Sequence, residues 1–158
     1  MADRSDPRIR VLFICTGNSA RSQMAEAFLR RYGGDRFEVH SAGSDPAPRV
    51  HPLADAAMRE AGVPLEGHRP KLLDPFCDRR WDYIITTCDR ANEACPAFPG
   101  DSERIHWGFD DPAQVVGAEE ERLRAFRRVR DEIRWRVQLF ALLRAHREPA
   151  DQRADLTL

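Results

Sequence analysis

The chain reads I-R-V-L-F-I from residue 9, then C-T-G-N-S-A-R, then S-Q-M-A-E-A-F-L-R-R-Y. The nearly unbroken apolar run of Ile9 to Ile14 reads as a strand buried on both faces. A glycine-containing turn follows it. Met24, Ala25, Ala27, Phe28 and Leu29 then fall on helical spacing, predicting a helix from about Ser19 to Tyr32 that Gly33 and Gly34 stop. A buried strand that turns tightly into an amphipathic helix points to a right-handed strand–helix–strand crossover and a parallel sheet.

The rest of the chain continues that alternation. Phe37 to Ser41 alternates as a second strand, residues 44–50 form a proline-rich loop, and Pro52 to Ala61 reads as a second helix. Pro64, Gly67, Pro70 and Pro75 break residues 64–80 into short helical pieces at most. Tyr83 to Thr87 is a third strand ending at Cys88, residues 89–103 read as a polar loop, and Arg104 to Trp107 is a short fourth strand. From about Ala118, the residues Leu123, Phe126, Val129, Ile133, Val137, Phe140 and Leu143 repeat at three and four, predicting a long helix laid on one sheet face. The expectation is a single α/β domain over residues 1–158 with an ordered core at about 8–146, and residues 147–158 a flexible tail. Helices should cover both faces of a parallel sheet, with ligands gathered at the strands' carboxyl ends. Cys15, Cys88 and the Asp110-Asp111 pair all lie just past such an end.

Composition excludes several classes of function. A formal net charge of −1 gives no electrostatic reason to bind nucleic acid or an anionic membrane. No apolar run approaches the roughly 20 residues of a membrane span, and the charged start M-A-D-R-S-D-P-R-I-R lacks a signal peptide's apolar centre. A cytoplasmic monomer is expected. In that compartment the four cysteines, Cys15, Cys77, Cys88 and Cys95, are read as reactive or metal-binding rather than as a disulfide framework.

The first loop has the chemistry of an anion site. Backbone N–H groups of such a turn, together with a helix N-terminus, favour negative charge. Gly17 permits unusual backbone angles, Asn18 tolerates the left-handed region or pins the loop, and Arg21 offers a planar fork for a tetrahedral oxyanion. A thiol at Cys15 should ionise there, because helix N-termini and cations lower a cysteine pKa from about 8.5 to roughly 3.5–7.5. Ser22 can donate a further hydrogen bond to the thiolate. The C-x5-R spacing alone fits a buried cysteine before an ordinary helix equally well. The whole string between strand and helix favours a cradle of Thr16, Gly17, Asn18, Ser19, Ala20, Arg21 and Ser22 around Cys15.

V-L-F-I-C-T-G-N-S-A-R-S-Q-M-A-E resembles the active-site loop of the low-molecular-weight protein tyrosine phosphatase fold, and more closely the thioredoxin-coupled arsenate reductases that use it. H-W-G-F-D-D-P-A at 106–113 and R-V-R-D-E-I at 128–133 extend the resemblance over nearly all of residues 8–145. It implies a flavodoxin-like four-stranded parallel sheet, Cys15 as nucleophile toward arsenate (with phosphate or sulfate as analogues), and Asp111 as the acid for the departing oxygen. Asp110 is the alternative acid, and an aspartate before proline is by itself an ordinary turn former.

A phosphatase would hydrolyse the cysteinyl adduct with water, whereas a reductase needs further thiols. Cys88 and Cys95, in C-x6-C, match the reductases' redox pair. The resemblance implies that Cys88 attacks the Cys15 adduct, Cys95 then attacks Cys88, and thioredoxin reduces the final disulfide. That order requires a mobile 89–95 segment, and no bulky apolar residue there would hold it down. Zinc binding fits this spacing poorly. The loop 44–51 carries no aromatic residue to flank a phenyl ring, which favours a small inorganic anion. A phosphatase and a thiol-based arsenic or redox sensor without turnover remain alternative readings. Some family members bind potassium beside the loop through Asn, Glu, Ser and Asp. Asn18, Glu26 and Ser41 match the first three, and Lys71 falls at the fourth, so its ammonium would replace the ion. No metal and no cofactor are expected. Cys77 lies outside the relay, and His106 reads as a packing or supporting residue.

Overall fold

The first strand, β1 (Ile9–Cys15), runs one residue beyond the apolar run and ends on the candidate nucleophile in the computed structural model, which describes residues 6–145. It is followed by α1 (Arg21–Gly33), β2 (Phe37–Gly43), α2 (Pro52–Glu60), β3 (Tyr83–Thr86), α3 (Asp89–Glu93), β4 (Glu103–His106) and α4 (Glu119–Arg144). The four strands form one parallel sheet in the order β2-β1-β3-β4. The expected flavodoxin-like parallel architecture is therefore present. The tail expected at 147–158 lies outside the described residues.

Alternation along β1 explains how one strand serves two cores. Ile9, Val11 and Phe13 point into a core shared with Met24, Phe28 and Leu29 of α1, Met58 of α2, and Phe126, Val129, Ile133 and Val137 of α4. Leu12 and Ile14 point to the other face, against Leu73, Trp81, Ile84, Cys88 and Ala91. Each such large side chain, fully buried, contributes about 1.5–3 kcal/mol. The two faces are covered unequally. Three long helices pack on one, while the other has only five-residue α3 and irregular segments around residues 73–81 and 95–98. Helix α4 begins on Glu119, Glu120 and Glu121, acids that favour the positive end of the helix dipole.

Two local expectations change. The helix predicted from Ser19 starts at Arg21, with Ala20 as its cap residue and no side-chain cap. The segment 89–103, read as loop, opens with α3, because Cys88 caps that helix by accepting from the Ala91 N–H at 3.4 Å and Ala91 itself is buried. The segment between Cys88 and Cys95 is therefore held, through a small residue and a sulfur cap rather than a bulky one.

Candidate active site

The loop between β1 and α1 is fastened by its carbonyls. Asp45 N–H donates to the Thr16 carbonyl at 3.0 Å, Ala47 to Gly17 at 2.9 Å, and His51 to Ser19 at 2.8 Å. Residues 45–51 thus form a strap along the loop's outer side. Among the described residues, the N–H groups of Gly17, Asn18, Ser19 and Ala20 donate to no backbone carbonyl. With the carbonyls turned outward and α1 uncapped, the loop offers a set of unused donors around Cys15. Gly43 makes the close approach of β2 possible: a Cβ there would overlap the Thr16 carbonyl oxygen and stand 3.0 Å from that of Cys15.

Asn18, not Gly17, takes the left-handed backbone, at φ 50°. Its buried side chain pins the loop from behind. Nδ2 donates to Ser22 Oγ at 2.8 Å and Ser41 Oγ at 2.9 Å, while Oδ1 accepts from Lys71 N–H at 2.9 Å and Gln23 Nε2 at 3.0 Å. Lys71 Nζ lies 3.6 Å from Glu26 Oε1 and 3.5 Å from Ser41 Oγ, so the ammonium stands among the residues matched to a potassium site. Burial pushes the Glu26 carboxyl up, but a hydrogen bond from His68 and the charges of Lys71 and Arg30 outweigh it and hold the group below its ordinary value. Among the described residues no cluster of three metal-binding side chains is present.

Arg21 and Asp111 meet at the mouth. The Arg21 guanidinium donates to the Phe109 carbonyl at 3.0 Å and comes within 3.6 Å of Asp111 Oδ2. Asp111 Oδ1 accepts from the Ala113 N–H at 3.0 Å, which is the turn-forming contact, and leaves Oδ2 toward Arg21. Asp110 is exposed and makes no such approach.

The three cysteines sit unequally. Cys15 Sγ lies 3.7 Å from Cys88 Sγ, and Thr16 Oγ1 lies 3.6 Å from the Cys88 sulfur. Cys95 is part-buried near Phe98 and Cys77 on the thinly covered face. The two thiols shift in opposite directions, and the direction at Cys15 differs from the expectation. Donation to Cys88 pushes the Cys15 thiol up, burial adds to this, and the nearby Arg21 charge only partly opposes it. Cys88, accepting from Cys15, Thr16 and the Ala91 N–H, is lowered to about 5 against the cost of burial. Burial pushes both Cys95 and Cys77 up.

Sequence reasoning missed Thr87, whose buried hydroxyl donates to the Ile14 carbonyl at 3.2 Å and opposes the upward shift of the neighbouring Cys15, and the Gln23–His68–Glu26 support behind Asn18. The first was signalled only by its place beside Cys88. The second depends on residues 45 positions apart and carried no local signal.

A thiol and an arginine set at the two ends of an amide-lined loop, at the carboxyl edge of a parallel sheet, define a nucleophilic oxyanion site. Residues 10–149 match the low molecular weight phosphotyrosine protein phosphatase family, to which this chain belongs. Within that family it is similar to proteins named arsenate reductase. That of Halalkalibacterium halodurans is 46% identical over 131 residues, covering 83% of this chain and 94% of that one. An arsenate reductase solved in a phosphate-binding state superposes with a TM-score of 0.74 at 30% identity, over 85% of this chain and 98% of that one. The thioredoxin-dependent arsenate reductase of Corynebacterium glutamicum gives 0.61 at 34% identity, over 85% and 64%.

Proposed function

We propose that this protein is an arsenate reductase, working as a single-domain monomer in the cytoplasm with thioredoxin as its reductant. The observation that carries the reading is the 3.7 Å approach of Cys88 to Cys15 inside an oxyanion cradle. Simple hydrolysis of a cysteinyl phosphate has no use for a second sulfur at that distance.

In the first step the Cys15 proton passes to Cys88, and the Cys15 sulfur attacks arsenic held by the loop amides and Arg21. Asp111 protonates the departing oxygen, which leaves as water. Cys88, its proton lost to solvent, next attacks Cys15 Sγ. The sulfur–arsenic bond breaks with its electron pair going to arsenic, so arsenic(V) becomes arsenic(III), arsenite departs and a Cys15–Cys88 disulfide forms. Cys95 then attacks Cys88, freeing Cys15 as thiolate, and a dithiol reduces the Cys88–Cys95 disulfide by exchange. Helix α3, between its cap Cys88 and Cys95 two residues past its end, spans about 7.5 Å along its axis, whereas a disulfide needs Cα atoms about 4.4–6.8 Å apart. The helix must therefore unwind before the third step. Unwinding also exposes Cys95 and relieves the burial that keeps its thiol protonated.

The test follows NADPH oxidation with thioredoxin, thioredoxin reductase and arsenate. Turnover lost in Cys88→Ser and Cys95→Ser, with Cys95→Ser trapped as a Cys15–Cys88 disulfide, is the expected result. Steady aryl phosphate hydrolysis with no arsenate-dependent oxidation would instead make the protein a phosphatase. Stoichiometric arsenic binding without turnover would make it a sensor.

A further inference from the structure

Helix α3 has only five residues, too few to persist in water on its own intrinsic stability. Something outside it must hold it, and the structure shows what. His106, the last residue of β4, places Nε2 2.8 Å from Asp89 Oδ1 in the first turn of α3. Its other ring nitrogen lies 2.8 Å from Thr86 Oγ1 at the end of β3. Thr86 Oγ1 also lies 3.3 Å from Asn92 Oδ1, one turn further along the same helix. One imidazole thus ties two strand ends to the helix that begins at Cys88.

An independent observation marks the same spot. Gly108 lies against the clasp, and a Cβ there would stand 3.2 Å from His106 Nε2 and 3.5 Å from Asp89 Oδ1. Its φ is not in the left-handed region, so no backbone conformation demands glycine here. Close approach to the ring accounts for it.

We propose that His106 is a positioning residue for the redox pair: through Asp89 and Thr86 it holds α3 wound, keeping Cys88 beside Cys15 and apart from Cys95 until the adduct has been resolved. This rests on the redox reading of Cys88 and Cys95. The clasp exists only while α3 is wound, so it stabilises the dithiol over the Cys88–Cys95 disulfide. Loosening it shifts that equilibrium toward the disulfide without touching the cradle.

The experiment equilibrates the full chain in glutathione redox buffers and measures the Cys88–Cys95 disulfide by peptide mass mapping. In parallel, hydrogen exchange of the 91–94 amides is followed in the reduced protein. Asp89 is exposed and makes no contact with the loop, so Asp89→Ala should leave aryl phosphate kcat and KM unchanged. It should raise the disulfide-to-dithiol ratio about five-fold and speed α3 exchange by a similar factor, the effect of one ordinary hydrogen bond. Asp89→Asn, which retains an acceptor, should recover most of the difference. Gly108→Ala keeps every clasp group and should shift both readouts in the same direction as Asp89→Ala. Unchanged ratio and exchange in Asp89→Ala and Gly108→Ala overturn the proposal. So does faster exchange with an unmoved ratio, since the clasp would then have no hold on the redox pair. Should the parent form no such disulfide even in fully oxidised glutathione, the redox reading itself fails, and the positioning role falls with it.

Discussion

The sulfurs of Cys15 and Cys88 lie 3.7 Å apart across 73 residues of sequence, close enough to share one proton and too close for both to carry charge. Their contact lowers the Cys88 pKa to about 5 and pushes the Cys15 thiol up. A lowered pKa means that the thiolate persists as pH falls. Alkylation of Cys88 by iodoacetamide should therefore stay fast down to about pH 5 and fade only below it. In Cys15→Ala the largest stabilising contact is gone, and the inflection should move up toward ordinary thiols near 8.5. The same inflection in both proteins would refute the shared proton.

Asp111 can be tested apart from its turn. Asp111→Asn retains an oxygen for the Ala113 N–H but cannot supply a proton to a leaving group. Aryl phosphate hydrolysis should fall about 10²–10⁴-fold, the range for a lost general acid, with Tm nearly unchanged. A loss of stability matching the loss of rate would make Asp111 a turn former and nothing more.

Arg21 meets the Phe109 carbonyl and Asp111 through separate nitrogens of one guanidinium. Lysine keeps the charge but not the planar fork. Arg21→Lys is expected to weaken phosphate or arsenate binding at least ten-fold, measured by titration calorimetry. Equal affinity would mean that charge alone matters.

Lys71 stands on Glu26 and Ser41. Thermal stability should be the same in potassium and sodium chloride, whereas Lys71→Asp should become more stable in potassium specifically. The Glu26 carboxyl is held below its ordinary value, so its contribution is present above about pH 4.5 and is lost as pH falls through the depressed value. Lys71→Met removes part of that depression, and acid unfolding should then begin at higher pH. An unmoved acid limb would count against the ion pair.

Gly43 has no room for a side chain against the Thr16 carbonyl. Gly43→Ala should cost about 1–3 kcal/mol in urea unfolding, as overpacking does, and depress loop activity further. A variant of parental stability and rate would show that the loop has freedom the structure denies it.

Strands and long helices were legible because their cause is local: an apolar run such as Leu12-Phe13-Ile14, or the three-and-four stripe from Leu123 to Phe140, carries its period in the sequence. Cys15, Arg21 and Asp111 were legible because a strand–turn–helix string and a D-P turn are short. What escaped was set by distant partners. Helix α3 winds on a sulfur cap and on His106, 17 residues from Asp89. Asn18 was read as able to take the left-handed backbone or to pin the loop, but the partners that hold it, Ser22, Ser41, Gln23 and the Lys71 backbone, lie up to 53 residues away. The opposite shifts of Cys15 and Cys88 came from a contact across 73 residues that no local pattern announces.

Strand β1 is paired with β2 from Ile9 to Cys15 and with β3 from Val11 to Ile14, while α3 hangs between β3 and the short edge strand β4. The proposed nucleophile is thus mounted where sliding would break two ladders, and the segment proposed to refold where it would break none. In the proposed relay, unwinding α3 would uncover Cys88, Ala91 and Cys95 but leave the larger core of β1, α1, α2 and α4 in place. The heat capacity of unfolding should accordingly be nearly the same for the dithiol and disulfide forms, so that each turn of the proposed relay would remake a few residues of chain and leave the thermodynamic signature of the core where it was.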